Sequence, residues 1–234
     1  MNNYEQQPRQ TINTEVGLNG FMTKMFGWMG LSVLVSAVTA FLMATQFSGA
    51  LQNLNGGMMI LPLIVWFVLP FVISGQSMKR PTVAFVGLMV YAVVTGAVFS
   101  IYTLIYSNES IAAAFVSSAA VFLTMATIGV TTKRDLTKIG TQASAALIGL
   151  IVAMVINLFL RSSLIAMIFS FVAVIIFAAL TAWDTQRMKK MYLKYGDQVS
   201  TTGLAINGAL QLYLDFVNLF LQLLQIFGLF GGRD

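Results

Sequence analysis

Residues 208–228 read GALQLYLDFVNLFLQLLQIFG, and one acid, Asp215, stands in the middle of this otherwise leucine- and phenylalanine-rich run. The run is long enough to cross a bilayer as a helix, which takes about 20 residues. Its polar residues are regularly placed. Asn207, Gln211, Asp215, Asn218, Gln222 and Gln225 are spaced 4, 4, 3, 4 and 3 apart. At about 100° per residue they fall within an arc of roughly 80°. Such a stripe cannot face lipid, where its amides would go unsatisfied. The segment is therefore expected to be a membrane helix enclosed by others, its stripe serving either as interhelical glue or as the lining of an aqueous path.

The rest of the chain agrees. Of its 234 residues 58% are apolar and 9% charged, against roughly 45–50% and about 25% in a soluble domain. Mean hydropathy is +0.83. A soluble domain, a disordered chain and a nucleic-acid module are excluded. Further apolar segments lie near residues 21–45, 56–76, 82–106, 111–131, 141–160 and 164–185. The runs are continuous and long, unlike the alternating ten-residue strands of a membrane barrel. The expected fold is an all-α integral membrane protein with seven transmembrane helices. Residues 1–20 form a polar N-terminal tail, 21–230 a single transmembrane domain and 231–234 a short C-terminal tail.

Loop charge sets the orientation. Seven spans put Arg9, Lys24, Lys79, Arg80, Lys133, Arg134, Lys138, Arg187, Lys189, Lys190 and Lys194 on one side, and Arg161 and Arg233 on the other. The positive-inside rule makes the first side, with the N-terminus, cytoplasmic and the C-terminus external. Losing or adding a span would scramble this asymmetry.

Two acids lie within spans. Asp215 is one, and Asp184 in Thr181-Ala-Trp-Asp-Thr-Gln186 is the other. A charge at mid-bilayer costs roughly 2.5–3.5 kcal/mol on insertion scales, so such acids face the bundle interior. Spans six and seven run antiparallel from a short loop, which brings the acids to similar depths. Adjacent carboxyls do not both ionise cheaply and tend to share a proton. The chain has no histidine and no cysteine, which removes the imidazole switch, the Ser-His-Asp triad, the usual zinc sites and any thiol chemistry. Asp184 and Asp215 are thus the candidate pH-responsive pair and the candidate cation ligands. Lys79 and Arg80, at the end of span two, either reach these acids by snorkelling inward or stay solvated, and solvation is the expected state. Two carboxylates with amide oxygens and water would suit weak Ca²⁺ binding.

Tyr91, Thr95 and Tyr102 share one face of span three, and Ser117, Thr124, Thr127 and Thr131 one face of span four. Both faces are expected to serve helix packing.

The run from Gly208 to Gly228, above all Tyr213-Leu-Asp-Phe-Val-Asn-Leu-Phe220, resembles the signature of the Bax inhibitor-1 (transmembrane Bax inhibitor motif) family. The bacterial YccA-like branch is the nearest likeness, and Trp183-Asp184-Thr185-Gln186 resembles the family's span-six motif. The resemblance implies six helices around a central C-terminal one. It also implies a pH-sensitive calcium leak gated by an aspartate pair, with Asp184 and Asp215 in the two positions. A basic residue near span two, Lys79 or Arg80, would lock the pair.

The expected function is a pH-sensitive cation (calcium) leak channel of a bacterial cytoplasmic membrane, with no cofactor beyond permeant Ca²⁺ and no nucleic-acid partner. The chain is expected to be a monomer. The alternative is a non-transporting regulatory protein that binds a membrane protease or another membrane partner. An enzyme is not expected. The glycine and Pro-Ala-Leu motifs of intramembrane aspartyl proteases do not occur, and span seven lacks the lysine a retinal Schiff base would need.

Overall fold

The computed structural model of the chain describes residues 7–47, 49 and 56–230, with side chains for 15–47, 49 and 63–229. Residues 231–234, the expected C-terminal tail, lie outside the described residues. All regular structure among the described residues is helical: α1 (Gln7–Gln46), α2 (Gly56–Ser77), α3 (Pro81–Ser100, prolonged by a 3₁₀ turn Ile101–Leu104), α4 (Asn108–Thr131), α5 (Thr137–Leu160), α6 (Ser163–Tyr195) and α7 (Thr201–Phe230). Every helix but α2 is long and apolar enough, by length and composition, to cross a membrane. The 22 residues of α2 rise about 33 Å at 1.5 Å per residue. Its described apolar stretch is the shorter Leu63–Ser77. The protein is an all-α, multi-pass membrane protein.

Two helices outrun their apolar segments. α1 starts at Gln7, so much of the expected polar tail is helical. α6 continues past Thr185 to Tyr195. The two extensions meet: the rings of Phe21 and Tyr192 stack with centroids 4.7 Å apart.

The local sequence sets the helix ends. Pro81 occupies the first turn of α3. Ser107 and Ser162 cap α4 and α6 by accepting from the Ser110 and Ile165 N–H groups at 3.2 and 3.4 Å. Between α5 and α6 the chain reverses at Arg161, with φ of 52°, and Asn157 bonds both backbone groups of Ser162.

The helices form two groups of three around α7. α3 packs on α1 and α2; α6 packs on α4 and α5. Each group contains one very close backbone approach. A Cβ on Gly96 of α3 would collide with the Ser36 carbonyl of α1, and one on Gly129 of α4 with the Ala182 carbonyl of α6. Glycine is what lets helix backbones approach this closely in a membrane. α7 packs against α1, α2, α3, α4 and most extensively α6, while α5 lies behind α6. The C-terminal helix is central, as expected.

Successive connections alternate between two ends. Ser77 and Met78 lie against Gly203, and Lys190 bridges to Asp135 at 2.7 Å. Those loops, with Lys79, Arg80, Lys133 and Arg134, mark a basic end. At the other end Tyr106 abuts Gly228.

The polar face of α3 is a packing face. Tyr91 and Thr95 are fully buried. Tyr91 meets Tyr213 edge-on, with ring centroids 5.7 Å apart, and Trp66 donates to the Thr95 hydroxyl at 3.1 Å. The span-four face departs from the expectation. Thr124, Thr127 and Thr131 are exposed, and each hydroxyl bonds the carbonyl four residues back on its own helix. That local bond satisfies the hydroxyl in lipid without a neighbouring helix.

Candidate functional site

Asp184 and Asp215 are both buried, each 6% exposed. Their relative position follows from the α6–α7 register. Gly208 lies beside Met188, and Ser170 donates to Gln225 at 2.8 Å. Between these two ties the antiparallel helices place Asp215 level with Leu180 and Thr181, and Asp184 level with Gln211. The acids are offset by about one turn, roughly 6 Å along the axis. Helical Cβ atoms tilt toward their own N-terminus. For antiparallel helices those tilts are opposite, and here they swing the two carboxyls toward each other. The Asp215 carboxyl feels the negative charge of Asp184.

Four buried side-chain oxygens have no hydrogen-bond partner among the described residues: Asp184 Oδ1, Asp215 Oδ2, Thr185 Oγ1 and Gln222 Oε1. Leaving such groups unpaired is costly. The two carboxylates are hard oxygen donors of the kind Ca²⁺ takes, whereas Gln222 lies two turns beyond Asp215 on α7, about 10 Å along the axis, and is not part of the same donor set. Among the described residues no group of three or more acids is assembled, so amide oxygens or water would have to complete any cation shell.

The stripe of α7 has mixed partners. Ser74 of α2 donates to Asn207 at 3.2 Å, Gln225 holds Ser170, and Asn218 bonds back to the Leu214 carbonyl at 2.8 Å. The least buried positions through the middle of α7 are Asn207, Gln211, Leu214, Asn218, Leu221, Gln222, Leu223 and Gln225. All but Leu223 share one face. α2 flanks it through Ser74 and α6 through Ser170, and among the described residues no packed interface between α2 and α6 closes over it. The polar side of the central helix is thus its most accessible side.

Lys79 and Arg80 are in the solvated state read from the sequence, not in the locking position that the family resemblance implied. Lys79 and Arg80 are exposed, and among the described residues the ion-pair partner of Asp184 is Arg187, with Nη1 to Oδ1 at 3.5 Å. Arg187 lies three residues further along the same helix. Its guanidinium stands over the Trp183 ring, 5.2 Å from the centroid. Lys79 and Arg80 lie in the turn between α2 and α3, where water solvates them better than a buried acid would. The i,i+3 spacing in Trp183-Asp-Thr-Gln-Arg187 was the sequence signal for this pair.

A third acid anchors the site from outside. Asp135, in the α4–α5 loop, accepts from Lys190 Nζ at 2.7 Å and from the Thr137 N–H and hydroxyl at 2.9 and 2.6 Å. Gln186 bonds both the Arg134 carbonyl and the Leu136 N–H, at 2.8 and 2.9 Å. Together they bind the loop to α6 just beyond Asp184. The Lys190 ammonium, helped by Thr137, holds the Asp135 carboxyl well below the usual carboxylate range. A depressed native value stabilises above the ordinary value of 3.8 and is lost only as pH falls through the native one. Asp135 therefore stays charged from pH 5 to 8. Asp135→Asn is expected to lower the melting temperature in detergent by the same small amount at pH 5 and pH 7. A difference that vanishes at pH 5 would contradict the assignment.

Comparison with known proteins agrees with this architecture. The family described as inhibitor of apoptosis-promoting Bax1 matches residues 18–232. An uncharacterized membrane protein of Streptococcus pyogenes serotype M3 is 39% identical, over 92% of this chain and 95% of its own length. The uncharacterized protein YrjE of Lactococcus lactis is also 39% identical, over 93% and 94%. The inner membrane protein YbhL of Escherichia coli K12 is 37% identical, again over 93% and 94%. With a match that spans every helix from within α1 to the end of α7, and with the buried aspartates in the segments that carry the signature, the chain belongs to the Bax inhibitor-1 family.

Proposed function

We propose that the protein is a passive, proton-sensitive cation leak of a bacterial cytoplasmic membrane, with calcium as the principal ion and Asp184 and Asp215 as the gating pair. The supporting observation is the pair itself: two buried carboxylates, each with an oxygen that accepts no hydrogen bond among the described residues, lie one turn apart on facing helices, beside the accessible polar side of α7. Protons and Ca²⁺ compete for those oxygens, which couples flux to pH. Arg187 is the cation that opposes the pair from α6. The charges on the other elements around α7 (Lys24, Lys79, Arg80 and Lys133) are exposed, so they modulate the pair only weakly. The basic end faces the cytoplasm by the positive-inside rule, which leaves the C-terminus external. No chemical transformation is part of this function.

The test uses full-length protein in liposomes loaded with a calcium dye, across pH 5–8. Wild-type vesicles are expected to leak calcium at a rate that depends on pH, and Asp184→Asn vesicles at a lower and flatter rate. If wild-type vesicles leak no faster than empty ones, the channel is refuted. The non-transporting reading then takes its place, and a membrane protease or other membrane protein should copurify.

A further inference from the structure

On the side away from the polar face, a groove runs between α1 and α4. Its larger part is a cavity of about 680 Å³ near the basic end. It continues into one of about 400 Å³ that shares Val33, Ala37, Phe115 and Phe216 with it. From Ile111 to Thr131 the α4 wall rises about 30 Å at 1.5 Å per residue, which is the thickness of the hydrocarbon core. The lining is almost wholly apolar. Its two hydroxyls near the basic end, Thr127 and Thr131, are already bonded to their own backbone at 2.7 Å. The floor is Phe216, held edge-on by Phe115 and Phe122.

The basic-end mouth is charged. Val130 lines the groove, and its carbonyl receives the Lys189 ammonium at 2.8 Å. That bond holds the cation against the last turn of α4, whose Val130 and Thr131 line this end of the groove. An ammonium has three donors, so two remain. Lys133 is exposed two residues beyond Thr131.

We propose that this groove holds one acyl chain of an anionic phospholipid from the surrounding bilayer, its headgroup phosphate bound by Lys189 and Lys133. The groove opens sideways within the spans, so lipid is the molecule that reaches it. Its apolar length matches an acyl region, and its charged mouth complements a headgroup. A chain seated on Phe216 braces α7 beside Asp215. The inference does not depend on ion conduction.

Gly30 provides the test. It lines the groove, and a Cβ there would meet nothing within 4 Å. Gly30→Leu therefore fills the groove without a clash, and leucine is the better helix former. Gly149→Leu on α5, whose Cβ would also meet nothing within 4 Å, is the control. Full-length protein in detergent is titrated with dioleoyl phosphatidylglycerol and examined by native mass spectrometry. Wild type and Gly149→Leu are expected to retain one lipid, and Gly30→Leu to bind it about tenfold more weakly, a change on the order of 1.4 kcal/mol. The double variant Lys133→Gln, Lys189→Gln is expected to weaken phosphatidylglycerol binding while leaving dioleoyl phosphatidylcholine binding unchanged. Equal lipid retention by Gly30→Leu and wild type overturns the proposal. So does a wild-type dimer that Gly30→Leu converts to monomer with no change in lipid, which would make the groove an interface between copies.

Discussion

Asp215→Asn is expected to cut the calcium leak of reconstituted vesicles by roughly ten- to a hundredfold and to remove its pH dependence between pH 5 and 8. The size follows from what is lost. An interaction with a charged group is worth about 1.5–3 kcal/mol, and each 1.4 kcal/mol is about tenfold in occupancy. Asparagine is nearly isosteric and keeps one oxygen, so it removes charge and titration while sparing the packing. Asp215→Glu keeps the charge and displaces it by one methylene. It should retain pH dependence at a reduced rate. The same pair of variants separates a working acid from structural glue. If Asp215 merely held the bundle together, asparagine would lower the melting temperature. A buried carboxylate with an unpartnered oxygen instead carries a desolvation cost. The asparagine variant should therefore melt no lower than wild type, even as its flux disappears. A variant that melts lower and conducts normally would sink the assignment.

Features set by short-range chemistry were legible in the sequence. Continuous apolar runs located the spans, because the bilayer admits few alternatives to the helix. Glutamine and asparagine at helical spacing marked the polar face of α7, but that face is the helix's most accessible one, and α7 is interior through its apolar sides. The depths of Asp184 and Asp215 followed from counting residues, and the register places them one turn apart. Features that depend on how helices lean on one another were not legible. The long α6 looked finished at Thr185, where the apolar run stops. Its polar continuation is held by Phe21 stacking on Tyr192, a contact between residues far apart in the chain. The family resemblance implies a lock on Asp184 from span two, whereas the cation beside it is Arg187, one turn along its own helix. The openness of the α2–α6 face has no sequence signal at all. It exists because each outer group packs tightly within itself, and neither closes over the polar side of α7.

Gly129→Leu is expected to produce the largest loss of stability. A Cβ at Gly129 would overlap the Ala182 carbonyl oxygen and lie 2.8 Å from the Thr185 Cβ. The first obstacle is backbone, which no change of rotamer relieves. α4 must therefore move off α6. Overpacking of this kind costs typically about 1–3 kcal/mol and occasionally more. At roughly 2–4 °C per kcal/mol for a chain of this size, the melting temperature should fall by several degrees. Gly149→Leu, with open space around its Cβ, makes the same change of residue and should melt as wild type does. The damage should also reach the acidic pair. Ala182 and Thr185 bracket Asp184 on α6, so a displaced α4 tilts the segment that aims Asp184 at Asp215. Whatever Gly129→Leu protein still folds should therefore leak calcium with a weakened pH response, although both acids are intact. If it melted with the control, α4 and α6 could not be in backbone contact at this level. If it lost stability but kept the full wild-type pH response, Asp184 would be positioned by α7 alone, and the α4–α6 contact would matter to folding but not to gating.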